Sequence, residues 1–285
     1  MLQVELSAGP IEYSDSGGPG PVVLLFGGLV IGPSLWRGVV ADLARDHRCI
    51  VPTLPLGAHR LPVRSDFPIS PRTVAMLLGE FLERLDLRAV TLVENDTGRA
   101  QTLAAERPER LARLVLTSSE AFDNYPPGIP GRMAAAIAKI PGGVEVLAWQ
   151  LRFRALRRLP ITFGWMSKRP VPHEVMDGWL RPLTTNAGVR RDLRRYIRAV
   201  DPREMEVAAL GLRAFPYPAL IVWAREDRVM PPEHGRRLAA IIPNARLVEV
   251  ADSYTLIPED QPLRLAAEIR NFIAETPRSH ASSPG

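Results

Sequence analysis

Continuous runs of apolar residues recur along the chain and predict buried β-strands. They cover residues 22–26, 48–52, 89–93, 112–117 and 219–223, with a weaker run at 246–250. A strand that is apolar at every position is typical of a parallel sheet covered on both faces, because neither face meets water. The pattern therefore predicts a central sheet of mostly parallel strands.

Segments with apolar residues at helical spacing separate most of these runs. Residues 73–85 and 263–273 show this spacing most clearly. Strands that alternate with helices indicate an α/β fold in which helices flank the sheet. We therefore predict an α/β core built from residues 1–120 and 206–274.

The alternation stops between residues 121 and 205. This stretch is rich in Arg and Pro, lacks a continuous apolar run and has helical spacing at residues 133–139 and 190–200. We expect a helical lid that is inserted into the core. The polar and small residues of 275–285 predict a disordered tail.

Composition narrows the class of protein. The chain has 285 residues, of which 46% are hydrophobic and 24% charged, and this is enough apolar material for a packed core. The apolar runs are shorter than the roughly 18 residues of a membrane span, and the N-terminus does not resemble a signal peptide. Cys49, the single cysteine, lies in an apolar run and is expected to be buried. We therefore expect a cytoplasmic protein without a membrane partner.

The net charge of +5 raises the question of an anionic partner. The basic residues concentrate between residues 151 and 200, but no nucleic-acid motif accompanies them, so a solvated helical face is expected and no nucleic acid partner is predicted. No metal-ligand cluster and no dinucleotide motif occurs in the sequence. We predict neither a cofactor nor a metal, and the sequence offers no interface from which to predict an oligomer.

The stretch VENDTGRA, residues 93–100, carries the first candidate for chemistry. It lies between an apolar run and a helical segment, so Asp96 is expected on a sharp turn between a strand and a helix. A carboxylate on such a turn can attack a carbon atom and form an ester with the substrate.

Three loop motifs occur in the order that is typical of one large family. A glycine pair, Gly27 and Gly28, follows the first apolar run; Asp96 and Gly98 form the turn after a later run; and Asp227 follows the run at 219–223. Together with the sheet pattern, these motifs resemble the α/β-hydrolase superfamily over about residues 4–274. The aspartate on the turn is similar to that of the haloalkane dehalogenases and epoxide hydrolases.

The resemblance implies a role for each motif. Asp96 would be the nucleophile, and Asp227 would orient and stabilise a catalytic histidine. The backbone N–H groups of Gly28 and Thr97 would bind an oxyanion. Some relatives carry the orienting acid after the preceding strand, and here that alternative is Glu120 or Asp123.

Several positions depart from the family pattern. Phe26 stands where a histidine usually precedes the glycine pair, and Glu94 replaces the glycine that opens the turn. Arg99 replaces a small residue after Gly98. Glu94 and Arg99 are expected to relax the turn, to point outward or to pair with each other, and Glu94 is expected to raise the pKa of Asp96.

The catalytic histidine is missing. Thr255 takes its place, and neither its hydroxyl nor that of Tyr254 is a suitable base near neutral pH. His59, in the loop after the second predicted core strand, is the best replacement. We expect the residues that contact the substrate to include Phe26, His59, Tyr254 and Thr255.

The branch-specific positions narrow the substrate. Where haloalkane dehalogenases usually hold the halide with Trp and Asn, this chain has Thr97 and Gly28. Epoxide hydrolases protonate their substrate with lid tyrosines, and Tyr125 and Tyr196 fall in the predicted lid.

Three functions follow from this reading. The first is an enzyme that hydrolyses a small organic ester, epoxide or halide with Asp96. The second is an isomerase, lyase or cyclase that uses Asp96 as an acid or base. The third is a pseudoenzyme that binds a small molecule without converting it.

Overall fold

A computed structural model describes residues 1–276 of the chain. Eight strands form one sheet, and their bounds are β1 Leu2–Leu6, β2 Gly9–Asp15, β3 Val22–Phe26, β4 Arg48–Pro52, β5 Val90–Asp96, β6 Leu111–Ser119, β7 Ala219–Ala224 and β8 Ala245–Val250. The α-helices of these residues are α1 Arg37–Leu43, α2 Pro71–Arg84, α3 Arg99–Glu106, α4 Gly128–Lys139, α5 Gly143–Gln150, α6 His173–Thr185, α7 Ala187–Arg198, α8 Glu204–Leu212, α9 Pro232–Ile241, α10 Ile257–Asp260 and α11 Pro262–Glu275.

The strand order is β1-β2-β4-β3-β5-β6-β7-β8. From β4 to β8 neighbouring strands are parallel, whereas β1 and β2 are antiparallel to their neighbours. Every residue of β5 and of β7 is buried, which requires cover on both faces of the sheet. The predicted α/β fold with a mostly parallel sheet is confirmed.

Helix α2 illustrates how the sequence produces the elements around the sheet. Ser70 caps its first turn by accepting the N–H of Thr73 at 3.1 Å, and Thr73 accepts the Ser70 N–H in return. The buried face carries Val74, Leu78 and Phe81. Burying such a side chain contributes about 1.5–3 kcal/mol, so packing on the sheet fixes the helix more than its cap does.

Five helices, α4 to α8, lie between β6 and β7 and include both helical segments expected in the lid. Helix α8 packs against α3 beside the sheet. The boundaries of the predicted lid, residues 121–205, stay a prediction.

Two smaller expectations concern the ends of the chain and its cysteine. Glu275, expected in a tail, is the last residue of α11, while residues 277–285 of the predicted tail lie outside the described part. Cys49 is buried as predicted, and burial raises the pKa of its thiol to about 12. Across residues 1–276 no helix is both long and apolar enough to span a bilayer.

The order of the strands positions the candidate site. Strands β5, β6 and β7 are neighbours and run parallel, so their carboxyl ends meet at one edge of the sheet. Asp96 ends β5, Glu120 follows β6, and Asp227 follows β7. Three acidic side chains from distant parts of the sequence are therefore brought to the same edge, where ligands of open α/β sheets bind.

Candidate active site

Asp96 occupies a sharp turn between β5 and α3. Its backbone φ of 78° lies in the left-handed region, which a residue with a side chain enters only at a cost of about 1–3 kcal/mol. The pairing with β6 shifts register between Asn95 and Asp96, so the turn leaves the sheet abruptly. The relaxed turn suggested by Glu94 and Arg99 is therefore wrong.

Gly28 lies directly against the carboxyl group of Asp96. A Cβ atom at Gly28 would lie 1.7 Å from Asp96 Oδ2 and 2.5 Å from Asp96 Cγ. No side chain fits there, so the glycine is required by the position of the carboxyl group.

The backbone donors around Asp96 differ in detail from those expected. The N–H of Leu29, next to Gly28, faces the Asp96 carboxyl group and lowers its pKa. The N–H of Thr97 donates to the carbonyl oxygen of Asn95 at 3.0 Å, so in this structure it is engaged within the turn. Leu29 was not among the candidates, because sequence spacing alone does not show which amide of a loop points at a side chain.

The surroundings of Asp96 favour its neutral form. Burial raises the pKa of Asp96 well above its usual range, and the nearby carboxylates of Glu120 and Asp227 raise it further. The Leu29 N–H opposes this shift but does not overcome it. These surroundings therefore favour the neutral carboxyl group of Asp96 over its carboxylate.

Asp227 and Thr255 lie together, as the family order of motifs predicts. Asp227 Oδ1 accepts hydrogen bonds from Thr255 Oγ1 at 2.8 Å, from Met230 N–H at 2.8 Å and from Val229 N–H at 2.9 Å. Burial raises the pKa of Asp227 to about 6 despite these donors. The threonine hydroxyl is thus held by the acid that would orient a histidine at this position.

Asn95 ties this pair to the turn. Its Nδ2 donates to the carbonyl oxygen of Thr255 at 2.8 Å and to that of Thr117 at 3.0 Å. All three residues are fully buried. The Thr255 loop is therefore fixed beside Asp96 by hydrogen bonds rather than by apolar packing alone.

A cavity of about 140 Å³ opens beside Asp96. Its wall is mostly apolar, with side chains such as Leu29, Met166 and Val229. The polar side chains on the wall are those of Asp96, Glu120, Tyr125, Thr162 and Tyr196. Such a cavity fits a small, largely apolar molecule that offers one or two polar atoms.

Tyr125 presents a polar atom without a partner. The residue is 5% exposed, and its buried hydroxyl makes no hydrogen bond in the structure. A buried hydroxyl without a partner costs free energy, so it favours a ligand with a polar atom at that point. Tyr196, 1% exposed, lines the same cavity.

Glu120 joins the site through a buried ion pair. Its Oε2 lies 3.4 Å from Nη2 of Arg99, whose Nη1 donates to Glu204 Oε1 at 3.0 Å. Burial raises the pKa of Glu120 to about 7, although Arg99 pulls it down. Of the two alternative acids, Glu120 lies on the cavity, whereas Asp123 is exposed and pairs with Arg237.

Glu94 and Arg99 do not behave as expected from the sequence. Neither points outward, since both are fully buried, and Arg99 pairs with Glu120 and Glu204 instead of Glu94. Glu94 Oε2 accepts the N–H of Ala100 at 2.5 Å, and burial raises the pKa of Glu94 to about 8. The pairing hypothesis is wrong because Glu94 serves the first turn of α3 instead.

None of the four expected substrate contacts lies on the cavity wall. His59 is buried, with Nδ1 accepting the Gly57 N–H at 3.2 Å and Nε2 lying 3.4 Å from Asp192 Oδ2 of α7. The ring of Tyr254 lies 4.7 Å under the Arg228 guanidinium. Phe26 is packed in the core at the end of β3. Thr255, whose hydroxyl donates to Asp227, is likewise absent from the cavity wall.

The arrangement combines a carboxyl group on a strained turn, a second carboxyl group with a pKa near neutrality and a free tyrosine hydroxyl. These groups can attack a carbon atom, accept a proton and donate a proton in a mostly apolar cavity. No group of potential metal ligands occurs in the described part of the chain.

The sequence of this chain is similar to those of proteins with the α/β-hydrolase fold. The family described as alpha/beta hydrolase fold matches residues 21–262. An uncharacterized hydrolase of Bacillus subtilis is 28% identical over 71% of this chain and 71% of its own length. A haloalkane dehalogenase of Mesorhizobium japonicum is 25% identical over 96% of this chain and 91% of its own length.

The fold also has close counterparts among solved structures. The crystal structure of a putative ancestral haloalkane dehalogenase superposes with a TM-score of 0.80 and covers 97% of this chain and 99% of its own. The two sequences are 22% identical, so the likeness concerns the fold.

Proposed function

The chain belongs to the alpha/beta hydrolase fold family, and from this premise we propose that it hydrolyses a small, largely apolar organic molecule with Asp96 as the reacting carboxyl group. One observation carries the proposal. Asp96 lies on a strained turn, pressed against Gly28, with its carboxyl group on the wall of an apolar cavity. Such strain persists only where the surroundings impose it, and it is typical of reacting groups.

Among an ester, an epoxide and a halide, the cavity favours the epoxide. The free Tyr125 hydroxyl supplies the proton that an opening epoxide requires. The positions that would hold a halide are occupied by Gly28, which has no side chain, and by Thr97, whose side chain has no N–H donor. The loop that carries Tyr125 and helix α7, which carries Tyr196, would belong to the lid.

In the first step, an oxygen of ionised Asp96 attacks a ring carbon of the epoxide. The carbon–oxygen bond of the ring breaks, and the released oxygen takes the proton of Tyr125. The product of this step is an ester between Asp96 and the substrate. Because Asp96 must be ionised to attack, the rate of this step is expected to rise with pH.

In the second step, we assign to Glu120 the role that a histidine has elsewhere in the family. Glu120 takes a proton from a water molecule, which adds to the carbonyl carbon of the Asp96 ester. The ester bond breaks, the diol leaves with the proton held by Glu120, and the second proton of the water returns to Tyr125. A carboxylate with a pKa of about 7 suits this task near neutral pH.

The test is a panel of small epoxides, haloalkanes and esters, followed by product analysis and mass spectrometry of the intact protein. Wild-type protein is expected to turn over epoxides, and Asp96→Asn is expected to abolish both turnover and adduct. Glu120→Gln is expected to accumulate the ester on Asp96, because attack persists while hydrolysis slows by roughly 10²–10⁴-fold. Absence of turnover and adduct in all variants would overturn the proposal, and retained ligand binding would then indicate a pseudoenzyme.

A second function is supported by the raised pKa of Asp96. A neutral Asp96 can donate a proton, with Glu120 as the base, in an isomerisation, elimination or cyclisation that needs no water. Turnover that depends on Asp96, without an adduct in Glu120→Gln, would support this function over hydrolysis.

A further inference from the structure

The helices between β6 and β7 expose a row of large apolar side chains. On α4 the exposed positions are Ile129 and Met133, and Ile140 continues the row one step beyond the helix. Their spacing places them on one stripe of the helix surface. Val146 and Trp149 of α5 and the following Phe153 form a second row with similar spacing.

Exposed large hydrophobic residues are concentrated in this part of the chain. Of the thirteen exposed large hydrophobic residues in the described chain, eight lie between residues 129 and 161. Trp149 is 56% exposed and Phe153 48%, and their ring centroids lie 5.0 Å apart in an edge-to-face arrangement. Scattered exposed apolar residues need no explanation, but their concentration on two helices that pack against each other indicates an interaction surface. The apolar outer face is defined here as Ile129, Met133, Ile140, Val146, Trp149 and Phe153.

Positive charge borders the apolar outer face. Between residues 128 and 161 the sequence contains six basic residues and one acid, Glu145, which is paired with Arg194. Arg132, Lys139 and Arg158 are exposed and take part in no ion pair within residues 1–276. A partner for this face must therefore combine an apolar region with negative charge.

A groove adjoins the apolar outer face at Met133. The groove, of about 320 Å³, runs between α4, α5 and residues 156–162. It shares lining residues with the cavity beside Asp96, among them Ala134, Leu151 and Ile161. The groove and the cavity therefore share an apolar wall.

We propose that the apolar outer face docks on an anionic lipid surface. Aromatic side chains bordered by Arg and Lys are what the polar–apolar boundary of a bilayer accommodates, with the rings among the acyl chains and the cations at the headgroups. A second copy of the chain fits less well, because a symmetric contact would oppose the same basic residues. This proposal runs against the expectation, drawn from the sequence, of no membrane partner, and it does not depend on the proposed chemistry at Asp96.

Vesicle flotation with the full chain tests the proposal. Binding is expected to equimolar phosphatidylcholine–phosphatidylserine vesicles, to weaken as salt is added and to be weak on phosphatidylcholine alone. The double variant Trp149→Ser/Phe153→Ser is expected to lose affinity on the order of tenfold or more. Val207→Ser/Leu210→Ser is the matched control, since these residues of α8 are 64% and 59% exposed and lie outside the face.

A second variant tests the role of the basic residues without changing the apolar side chains. Arg132→Glu/Lys139→Glu alters two exposed side chains without an ion pair and is expected to weaken binding to the anionic vesicles only. The proposal is overturned if the folded wild-type protein does not bind vesicles. It is overturned equally if Trp149→Ser/Phe153→Ser binds them as strongly as Val207→Ser/Leu210→Ser. It is also overturned if sedimentation velocity shows a dimer that Trp149→Ser/Phe153→Ser dissociates.

Discussion

Substituting Gly28 by Ala perturbs the site with a single methyl group. The new Cβ would lie 1.7 Å from Asp96 Oδ2, 2.5 Å from Cγ and 2.6 Å from Cβ. Carbon atoms in contact are about 3.5–4 Å apart, so the carboxyl group must move by roughly 2 Å. Asp96 cannot turn away freely because its backbone is already in the left-handed region.

The expected cost is separable into stability and activity. Forcing one extra carbon into a packed site costs about 1–3 kcal/mol of unfolding free energy. Misplacing the reacting carboxyl group by more than 1 Å is expected to slow attack by roughly 10²-fold or more. Urea unfolding measures the first quantity, and single-turnover consumption of an epoxide measures the second.

Gly178→Ala is the matched control, because Gly178 lies in α6 and a Cβ there would meet nothing within 4 Å. This change is expected to leave activity unchanged and to stabilise the protein by up to about 1 kcal/mol. Gly28→Ala with wild-type stability and wild-type attack rate would refute the close approach of Gly28 to Asp96.

The remaining predictions address the missing base and the buried charges. Thr255→His is expected to raise steady-state turnover above that of both wild type and Thr255→Ser, because the new imidazole ring would lie against Asp227. A folded variant without this gain would count against the roles assigned to Asp96 and Asp227. Between pH 4.5 and about 8, the free energy of unfolding of the wild type is expected to fall by about 1.4 kcal/mol per pH unit relative to Glu94→Gln, as measured by urea unfolding. The reason is that the pKa of Glu94 is higher in the folded than in the unfolded protein, so a rising pH favours the unfolded state. Parallel pH curves for the two proteins would contradict this. Arg99→Met leaves the Glu120 carboxylate without its partner, so the free energy of unfolding is expected to fall by about 3–5 kcal/mol. The pKa seen in the pH–rate profile is expected to rise. An unchanged profile would exclude the ion pair from the site.

The core of the sheet was predictable because its strands are buried on both faces. The six apolar runs correspond to β3 through β8, with bounds that differ by a few residues at most. The antiparallel β1 and β2 were missed, since β1 lies at the edge and is largely exposed. Such strands mix polar and apolar residues and resemble loops in a single sequence.

The site was predictable only where the family order of motifs reaches it. Asp96, Asp227 and Thr255 were placed by that order, and the structure holds Asp227 against Thr255. The ion pair of Arg99 with Glu204 spans 105 residues and leaves no local pattern. A buried arginine reads in the sequence as a solvated one, because the partners that make burial tolerable come from other elements.

His59 shows the limit of reasoning from loops. Its loop follows β4, a strand near the site, but the ring turns toward Asp192 of α7. The direction of a side chain depends on tertiary packing that no motif records. Besides Asp96, Glu120 brings a carboxyl group to the cavity wall, and the sequence offered it as an alternative for the orienting acid and not for the base.

The central claim is that Asp96 forms a covalent ester that Glu120 then helps to hydrolyse. The most direct measurement is a single turnover of a small epoxide, with enzyme in excess, in water enriched in heavy oxygen. If Asp96 attacks, the diol carries light oxygen from the protein, and the peptide that contains Asp96 gains one heavy oxygen. A diol that carries heavy oxygen, with an unlabelled Asp96 peptide, would contradict the account.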